Sequence, residues 1–177
     1  VTGTFDVTIT DDEDGTFTYA SAEYCVSGSD PTPTISGTTG GTFSSTSGLS
    51  INASTGEIDL SASTAGTYTV SYLTSSNTCA VTGTFDVTIT DDEDGTFTYA
   101  STEYCKSGSN PTPTITGTTG GTFSSTAGLS INTSTGEINI AASTAGTYTV
   151  SYVTSSNLCA VTGTFDVTIT DDEDGTF

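Results

Sequence analysis

The stretch VTGTFDVTITDDEDGTF, residues 1–17, decides the fold, and the same seventeen letters return at 81–97 and 161–177. Apolar and polar residues alternate in its first part, which places Phe5 and Val7 on one face. Alternation with period two predicts a half-buried β-strand. The acidic connector Asp-Asp-Glu-Asp-Gly follows, and a second alternating segment comes after it. We therefore expect strand, acidic connector and strand in every copy.

A repeat of 80 residues organises the chain, since residues 1–80 and 81–160 differ at only eleven positions. This period exceeds a solenoid rung or a propeller blade and suits a small domain. Because the chain starts and ends inside one repeated stretch, we expect it to come from a longer array. The predicted segments are the last strand of a preceding repeat with its connector, two complete repeats, and the start of another. In order, they are 1–14, 15–94, 95–174 and 175–177.

The composition favours β-structure. Of 177 residues, 68 are Ser or Thr and 20 are Gly. Thr suits the pleated surface of a sheet, and Gly with Asn and Asp supplies turns. No segment shows helical periodicity, and the most regular alternation places Tyr68, Val70 and Tyr72 on a buried face. We predict an all-β fold of tandem β-sandwich domains, each with roughly six or seven short strands.

The chain is strongly acidic, with a formal net charge of −20 and Lys106 as its single basic residue. Nucleic acid and anionic membranes repel such a chain, and cations are its natural partners. No apolar run approaches the length of a transmembrane helix, so we expect no membrane insertion in this segment.

The four cysteines fall as one pair per repeat, Cys25 with Cys79 and Cys105 with Cys159, each pair 54 residues apart. Metal sites need close clusters of Cys and His, and the sequence has no such cluster. Disulfides are therefore the better interpretation, and they indicate an oxidising, extracytoplasmic compartment. We favour pairing within each repeat, Cys25–Cys79 and Cys105–Cys159.

A resemblance to known domains is carried by GLSINASTGEIDLSASTAGTYTVSY at 48–72 and its near copy at 128–152. This stretch resembles a signature of bacterial immunoglobulin-like and cadherin-like domains. The pattern YC…PTPTI…GTF at 24–43 also resembles repeats of secreted proteins from Bacteroidetes-like bacteria. The resemblance implies tandem immunoglobulin-like sandwiches that serve as spacer, adhesive or fibre modules outside the cell. It implies no catalytic residues, and the core Trp of antibody domains is missing.

The acidic connector is a candidate calcium site, because Ca²⁺ takes about six to eight oxygen ligands from carboxylates, carbonyls and water. Cadherin-like arrays stiffen their domain junctions with calcium at comparable acidic linkers, so the resemblance implies the same ion here. The alternative is a solvated, self-repelling tether. The candidate ligands are Asp11, Asp12, Glu13, Asp14, Asp91, Asp92, Glu93, Asp94, Asp171, Asp172, Glu173 and Asp174.

A second geometry for the connector is a hairpin, because Asp-Gly between alternating apolar segments is a strong hairpin signal. In that case residues 83–90 and 96–101 would pair with each other. The domain boundaries would then shift, and a Cys79–Cys105 disulfide would become possible.

Two kinds of glycosylation site are present as patterns. The N-x-[ST] pattern occurs at Asn52 and Asn132, in predicted exposed turns. O-linked sugar is the other candidate, on outward Ser and Thr rows or around the Pro-Thr-Pro-Thr segments. The simpler explanation of the Thr residues is β-propensity alone. The candidate O-linked sites are Thr32, Thr34, Thr112 and Thr114.

Catalysis has little support, since the chain has no His for a triad and no Arg for an oxyanion or phosphate clamp. Glu57 and Asp59 share a strand face and superficially form a carboxylate pair. Asn139 replaces the aspartate in the second repeat, so an exposed acidic face is the ordinary explanation. We expect no enzymatic activity.

The sequence therefore predicts a structural module of an extracellular fibre or cell-surface stalk. Its partners would be copies of itself, as beads on one chain or as subunits joined by strand donation, with covalent glycans as a further candidate. The alternative function is an adhesin domain that binds glycan or a host protein through its loops. A third possibility is an accessory domain of an enzyme whose catalytic region lies elsewhere.

Overall fold

The computed structural model describes residues 3–76, 78–156 and 158–172. The chain divides into two compact units, the first ending at Asp91 and the second beginning at Asp92. Within the described ranges both units consist of strands, turns and bends without any helix, which confirms the prediction of an all-β fold. None of these residues therefore belongs to a helix able to cross a membrane. The segment boundaries predicted at 14/15 and 94/95 stay predictions.

Unit 1 contains eight strands among its described residues. Their bounds are β1 Phe17–Thr18, β2 Glu23–Cys25, β3 Thr34–Ile35, β4 Thr42–Ser45, β5 Ser50–Ile51, β6 Ile58–Asp59, β7 Gly66–Leu73 and β8 Thr82–Thr90. The main sheet has the order β2-β8-β7-β4. In it β2 runs parallel to β8, while β7 runs antiparallel to both β8 and β4. The remaining strands form the pairs β1-β3 and β5-β6.

Proline position explains why β3 is short and marginal. Pro31 and Pro33 precede it, and a proline cannot donate to a sheet ladder. The strand accordingly pairs with β1 alone, in a two-stranded sheet. The turn between β5 and β6 depends on Gly56, which has φ of 72°. Asn52 supports that turn because its Oδ1 accepts the backbone N–H of Ser54 at 2.9 Å.

Unit 2 repeats this architecture with one weaker pair. Its strands are β9 Phe97–Thr98, β10 Glu103–Cys105, β11 Thr114–Ile115, β12 Thr122–Ser125, β13 Gly146–Val153 and β14 Thr162–Thr170. The main sheet has the order β10-β14-β13-β12, and β9 pairs with β11. A single bridge between Ile131 and Ile138 stands where unit 1 has the β5-β6 pair.

Aromatic rings fill the core of each unit. In unit 1 the ring of Phe17 meets Phe43 edge to face at 5.3 Å and meets Tyr72 at 5.9 Å. The predicted inward face of β7 is confirmed, since Tyr68, Val70 and Tyr72 are all buried. The Tyr72 hydroxyl donates to the carbonyl of Thr38 at 2.8 Å, so this buried polar atom has a partner. The buried cluster is Phe17, Tyr19, Phe43, Leu49, Ile58, Leu60, Tyr68, Val70, Tyr72, Val87 and Ile89.

The first copy of the repeated stretch behaves differently from the second. Residues 3–10 have the sequence of residues 83–90 but form no strand. Phe5 and Ile9 are 89% and 91% exposed, whereas Ile89 is 1% exposed. The strand predicted at the start of the chain is therefore wrong. The reason is that the same letters form a strand in β8, where β7 provides ladder partners and the core covers the apolar face.

The hairpin alternative, in which residues 83–90 would pair with 96–101, is also wrong. Strand β8 pairs with β7 and β2, whereas β9 pairs with β11. The disulfide that would accompany a hairpin does not form either, since Cys79 and Cys105 are both free.

Candidate functional site: acidic connectors and cysteines

The second half of the acidic connector is anchored to the domain that follows it. In unit 1 the backbone N–H of Ser76 donates to Oε2 of Glu13 at 2.9 Å, and the N–H of Glu13 donates to the carbonyl of Cys79 at 3.2 Å. Asp14 and Thr38 exchange two hydrogen bonds. The N–H of Asp14 donates to Oγ1 of Thr38 at 3.1 Å, and the N–H of Thr38 donates to the carbonyl of Asp14 at 2.7 Å. This half of the connector is therefore part of the fold and not a free tether.

Unit 2 holds its own connector in the same way. The backbone N–H of Ser156 donates to Oε2 of Glu93 at 2.9 Å, and the N–H of Glu93 donates to the carbonyl of Cys159 at 3.1 Å. A hydrogen bond from the Thr154 side chain, together with the one from Ser156, holds the pKa of Glu93 below its usual value. The anchored form of this carboxyl is therefore the charged one.

The aspartate before the connector glycine makes a local hydrogen-bonded turn. Thr96 donates both its hydroxyl and its backbone N–H to Oδ1 of Asp94, the latter at 2.9 Å. These two bonds, the side-chain one first, hold the pKa of Asp94 below its usual value. Asp14 and Thr16 repeat the arrangement in unit 1, with the same direction of pKa shift.

The third copy of the connector begins at the opposite end of unit 2, after β14. The Nζ of Lys106 lies 3.2 Å from Oδ1 of Asp171 in a surface ion pair, a class that contributes little to stability. The N–H of Ser107 donates to Oδ1 of Asp172 at 3.0 Å. Hydrogen bonds from Ser107 and the charge of Lys106 lower the pKa of Asp172. Glu173 and Asp174 lie outside the described residues.

Sequence reasoning missed the reason for the connector glycine. Gly15 packs directly on Gly83, near the start of β8. A Cβ at Gly15 would lie 2.7 Å from the backbone nitrogen of Gly83, and a Cβ at Gly83 would lie 1.9 Å from the carbonyl oxygen of Gly15. Both positions therefore need glycine for close backbone approach. Gly95 and Gly163 repeat the contact in unit 2. The sequence feature that could have indicated this contact is the glycine near each end of the repeated stretch.

The connector carboxylates do not form a ready calcium cage. Over residues 3–76, 78–156 and 158–172, no three of them bring ligand oxygens within 4.8 Å of one another. Glu13 and Asp14 already accept backbone hydrogen bonds, while Asp11 and Asp12 are exposed. Because Ca²⁺ takes about six to eight oxygens, it would need further ligands or a rearrangement of the connector. Calcium binding stays a prediction.

The predicted pairing of cysteines within each repeat is wrong. Cys25 and Cys159 are disulfide-bonded, whereas Cys79 and Cys105 carry free thiols. A disulfide is present, as predicted, but each repeat contains one bonded and one free cysteine.

Strand geometry explains why the intra-repeat pairs cannot form. In unit 1 Cys25 lies opposite Thr90, at the end of β8, whereas Cys79 precedes the first residue of that strand, Thr82. An extended strand of this length spans roughly 30 Å, and a disulfide requires Cα atoms within about 7 Å. The thiol of Cys79 instead lies 3.0 Å from Oγ1 of Thr10. The two cysteines of a repeat therefore lie at opposite ends of its domain.

Unit 2 has the same separation of cysteines. Cys105 lies opposite Thr170 at the end of β14, and Cys159 precedes Thr162 at its start. The hydroxyl of Thr170 donates to Sγ of Cys105 at 3.5 Å.

The remaining candidate residues lie at the surface. Asn52 and Asn132 are exposed in their turns, and so are the four threonines of the Pro-Thr-Pro-Thr segments, Thr32, Thr34, Thr112 and Thr114. Glycosylation at these positions stays a prediction.

The carboxylate pair of β6 has an ordinary structural role. Oδ1 of Asp59 accepts from the hydroxyl of Ser61 at 2.9 Å and from the N–H of Ala62 at 3.0 Å. Asn139 accepts the equivalent bond from Ala142 at 3.1 Å. Asp59 therefore supports a turn in unit 1, and the amide of Asn139 accepts one of the same two bonds in unit 2.

The chain matches no protein-family model and no curated protein. Among solved structures, it is similar to a SusE-like surface located polysaccharide binding protein from the Bacteroides thetaiotaomicron heparin utilisation locus. That similarity has 16% identity and a TM-score of 0.41 over 90% of this chain and 34% of the other. It is also similar to mouse cadherin-23 EC22-24, with 14% identity and a TM-score of 0.36 over 91% of this chain and 66% of the other. The similarity to human protocadherin-24 EC1-2 has 9% identity and a TM-score of 0.40 over 93% of this chain and 100% of the other.

The chain thus spans about a third of the length of the first of these proteins and about two thirds of the second. Similarities at these identities and TM-scores support no conclusion about function.

Proposed function

We propose that this chain is a structural module of an extracellular fibre or cell-surface stalk built from tandem immunoglobulin-like domains. The observation that carries the proposal is the repetition of one core. The ring of Phe97 meets Phe123 at 5.3 Å, as Phe17 meets Phe43 in unit 1. Of the eleven differences between the repeats, only Leu60/Ile140 falls in the buried cores, and it is conservative. Two successive domains with the same core suit a regular array.

Charge and disulfide chemistry support a location outside the cell. A net charge of −20 opposes random association of copies and keeps an array soluble. Disulfides persist in oxidising compartments, and two of the four cysteines are disulfide-bonded. Catalysis has no support from the connector carboxylates, because Glu13, Asp14, Glu93 and Asp94 all accept hydrogen bonds that hold the fold together.

The alternative function is an adhesin domain that binds glycan or a host protein. One observation favours it. A shallow depression in unit 1 is lined by Asp30, Glu57 and Asp59, and two of these carboxylates are amides in unit 2, Asn110 and Asn139. Against it stands the scarcity of stacking surfaces, because Phe5 is the only exposed aromatic residue among those the structure describes.

Negative-stain images of the purified chain at high protein concentration, with calcium and with EDTA, test the fibre proposal. We expect regular thin fibres, which become wavy in EDTA if calcium stiffens the connectors. Dispersed particles that bind to a glycan array would overturn the fibre proposal and favour the adhesin. Intact-mass measurement of the protein from its source decides glycosylation, since a mass equal to the bare chain would exclude it.

A further inference from the structure

The four cysteines occupy two positions in the repeat. We call Cys25 and Cys105 the first-position cysteines, and Cys79 and Cys159 the second-position cysteines. Each position occurs once in a disulfide and once as a free thiol, because Cys25 and Cys159 are bonded while Cys79 and Cys105 are free. The bonded set therefore contains one cysteine of each position, and so does the free set.

A disulfide at either position cannot close within its own domain. The two positions lie at opposite ends of the nine-residue strand β8 in unit 1 and of β14 in unit 2. That separation greatly exceeds the reach of a disulfide. A cysteine of this repeat that forms a disulfide with another cysteine of the protein must therefore pair with one in a different domain.

The two free thiols are open to reaction, in contrast to their bonded equivalents. Cys25 and Cys159 are 8% and 4% exposed, whereas Cys105 is exposed and Cys79 is half-buried. The bonded cysteines show that each position is suited to a disulfide in this fold. The residues next to Cys79 match those next to Cys159 except for Thr78, where the second repeat has Leu158. The residues next to Cys105 match those next to Cys25 except for Lys106, where the first repeat has Val26.

We propose that Cys105 of one copy of the chain forms a disulfide with Cys79 of a second copy, which links copies head to tail. The inference rests on the proposed function, because such disulfides would extend a tandem array of domains. It commits to a bond between unlike positions, first with second, which is the composition of the set already oxidised.

The chemistry needs an oxidant, and a small disulfide such as oxidised glutathione supplies it. The Cys105 thiol loses its proton, and the thiolate attacks glutathione disulfide and releases one glutathione thiolate. The deprotonated Cys79 of a second copy then attacks the mixed disulfide and releases the second glutathione. Two protein thiols are oxidised to one disulfide, one glutathione disulfide is reduced to two thiols, and two electrons are transferred.

The test uses the full chain and two complementary variants, Cys79→Ser and Cys105→Ser. The first keeps only the thiol of Cys105, and the second keeps only that of Cys79. Each variant alone and an equal mixture are incubated with oxidised glutathione and then separated without reductant. Because neither variant has both thiols, bond formation inside one copy cannot obscure the result. Thermal melts of both variants, matched to the wild type, check that the fold is retained.

We expect covalent dimers mainly in the mixture, joined through Cys105 of one variant and Cys79 of the other in peptide maps. The wild type should form a ladder of oligomers, and the double variant Cys79→Ser/Cys105→Ser should stay monomeric. Random pairing, in which dimers of like variants together equal the mixed dimers, would overturn the proposal. So would thiols that stay free or carry only glutathione, or a wild type that joins Cys79 to Cys105 within one copy.

The double variant also separates this inference from the fibre proposal. Fibres of the double variant in negative stain, together with failed cross-linking, would overturn the link and leave the fibre proposal standing. Efficient disulfide linking of the wild type without any fibres would support the disulfide and overturn the fibre proposal.

Discussion

At the scale of single residues, burial decides how much the same residue type contributes to the stability of the fold. Ile9 and Ile89 have the same neighbours in sequence, yet they are 91% and 1% exposed. Burial of an aliphatic side chain removes apolar surface from water, and its truncation also leaves a cavity. The repeated stretch therefore offers a matched pair of positions that differ in environment alone.

Ile89→Ala should destabilise unit 1 by about 2–5 kcal/mol, the usual cost of deleting a buried aliphatic side chain. Ile9→Ala removes the same atoms from an exposed site and should change stability by less than about 0.5 kcal/mol. Scanning calorimetry of both variants measures the difference. Equal effects of the two substitutions would contradict the burial assigned to the two copies.

The lowered pKa of Asp94 gives a second prediction, for Asp94→Ala. A carboxyl whose folded pKa lies below its ordinary value of 3.8 stabilises the fold above that value. This contribution is lost as pH falls through the folded pKa. The melting temperature of the variant should therefore lie below that of the wild type at neutral pH, and the difference should vanish on acidification.

The control for this titration is Asp6→Ala, at an exposed position in the first copy. It should melt like the wild type throughout. Comparison with the wild type at each pH also removes the general effect of neutralising an acidic chain. A deficit of Asp94→Ala that persists at low pH would show that the stabilisation does not come from the charged carboxyl.

At the scale of elements, the sequence predicted which segments can form strands better than it predicted which of them have a partner strand. The alternation in β7 correctly predicted its buried face. Residues 3–10 were mispredicted because alternation states which face is apolar and not whether a partner strand covers it. The anchoring of Glu13 was likewise hidden, since its partner Ser76 is 63 residues away in sequence.

The contact between the connector and β8 gives the element-scale prediction. Gly83→Ala would force a Cβ against the carbonyl of Gly15, and overpacking of this kind costs about 1–3 kcal/mol. Gly3→Ala is the matched control, because Gly3 has the same sequence neighbours and nothing within 4 Å of its Cβ position. Urea unfolding curves should show destabilisation for Gly83→Ala alone. A similar loss for Gly3→Ala, or none for either variant, would refute this contact.

At the scale of the whole molecule, calcium is the prediction that depends on the connectors as a set. Asp11 and Asp12 are the exposed half of the first connector, so their removal leaves the anchoring bonds of Glu13 and Asp14 in place. We expect calcium to raise the melting temperature of the wild type and to have a smaller effect on Asp11→Asn/Asp12→Asn. An equal response of the two proteins in differential scanning fluorimetry would exclude this connector as the calcium site.

The disulfide arrangement could not be predicted from spacing, because 54 residues between cysteines say nothing about which end of a domain each one occupies. That information comes from the register of β2 against β8, which places Cys25 opposite Thr90. The central claim of this account is that each repeat is a separate sandwich with its two cysteines at opposite ends.

Alkylation of the unreduced, monomeric chain before any added oxidant, followed by peptide mapping, tests that claim most directly. The account predicts label on Cys79 and Cys105 and protection of Cys25 and Cys159 by disulfide. Disulfide-linked peptides that join Cys25 to Cys79, and Cys105 to Cys159, would contradict it.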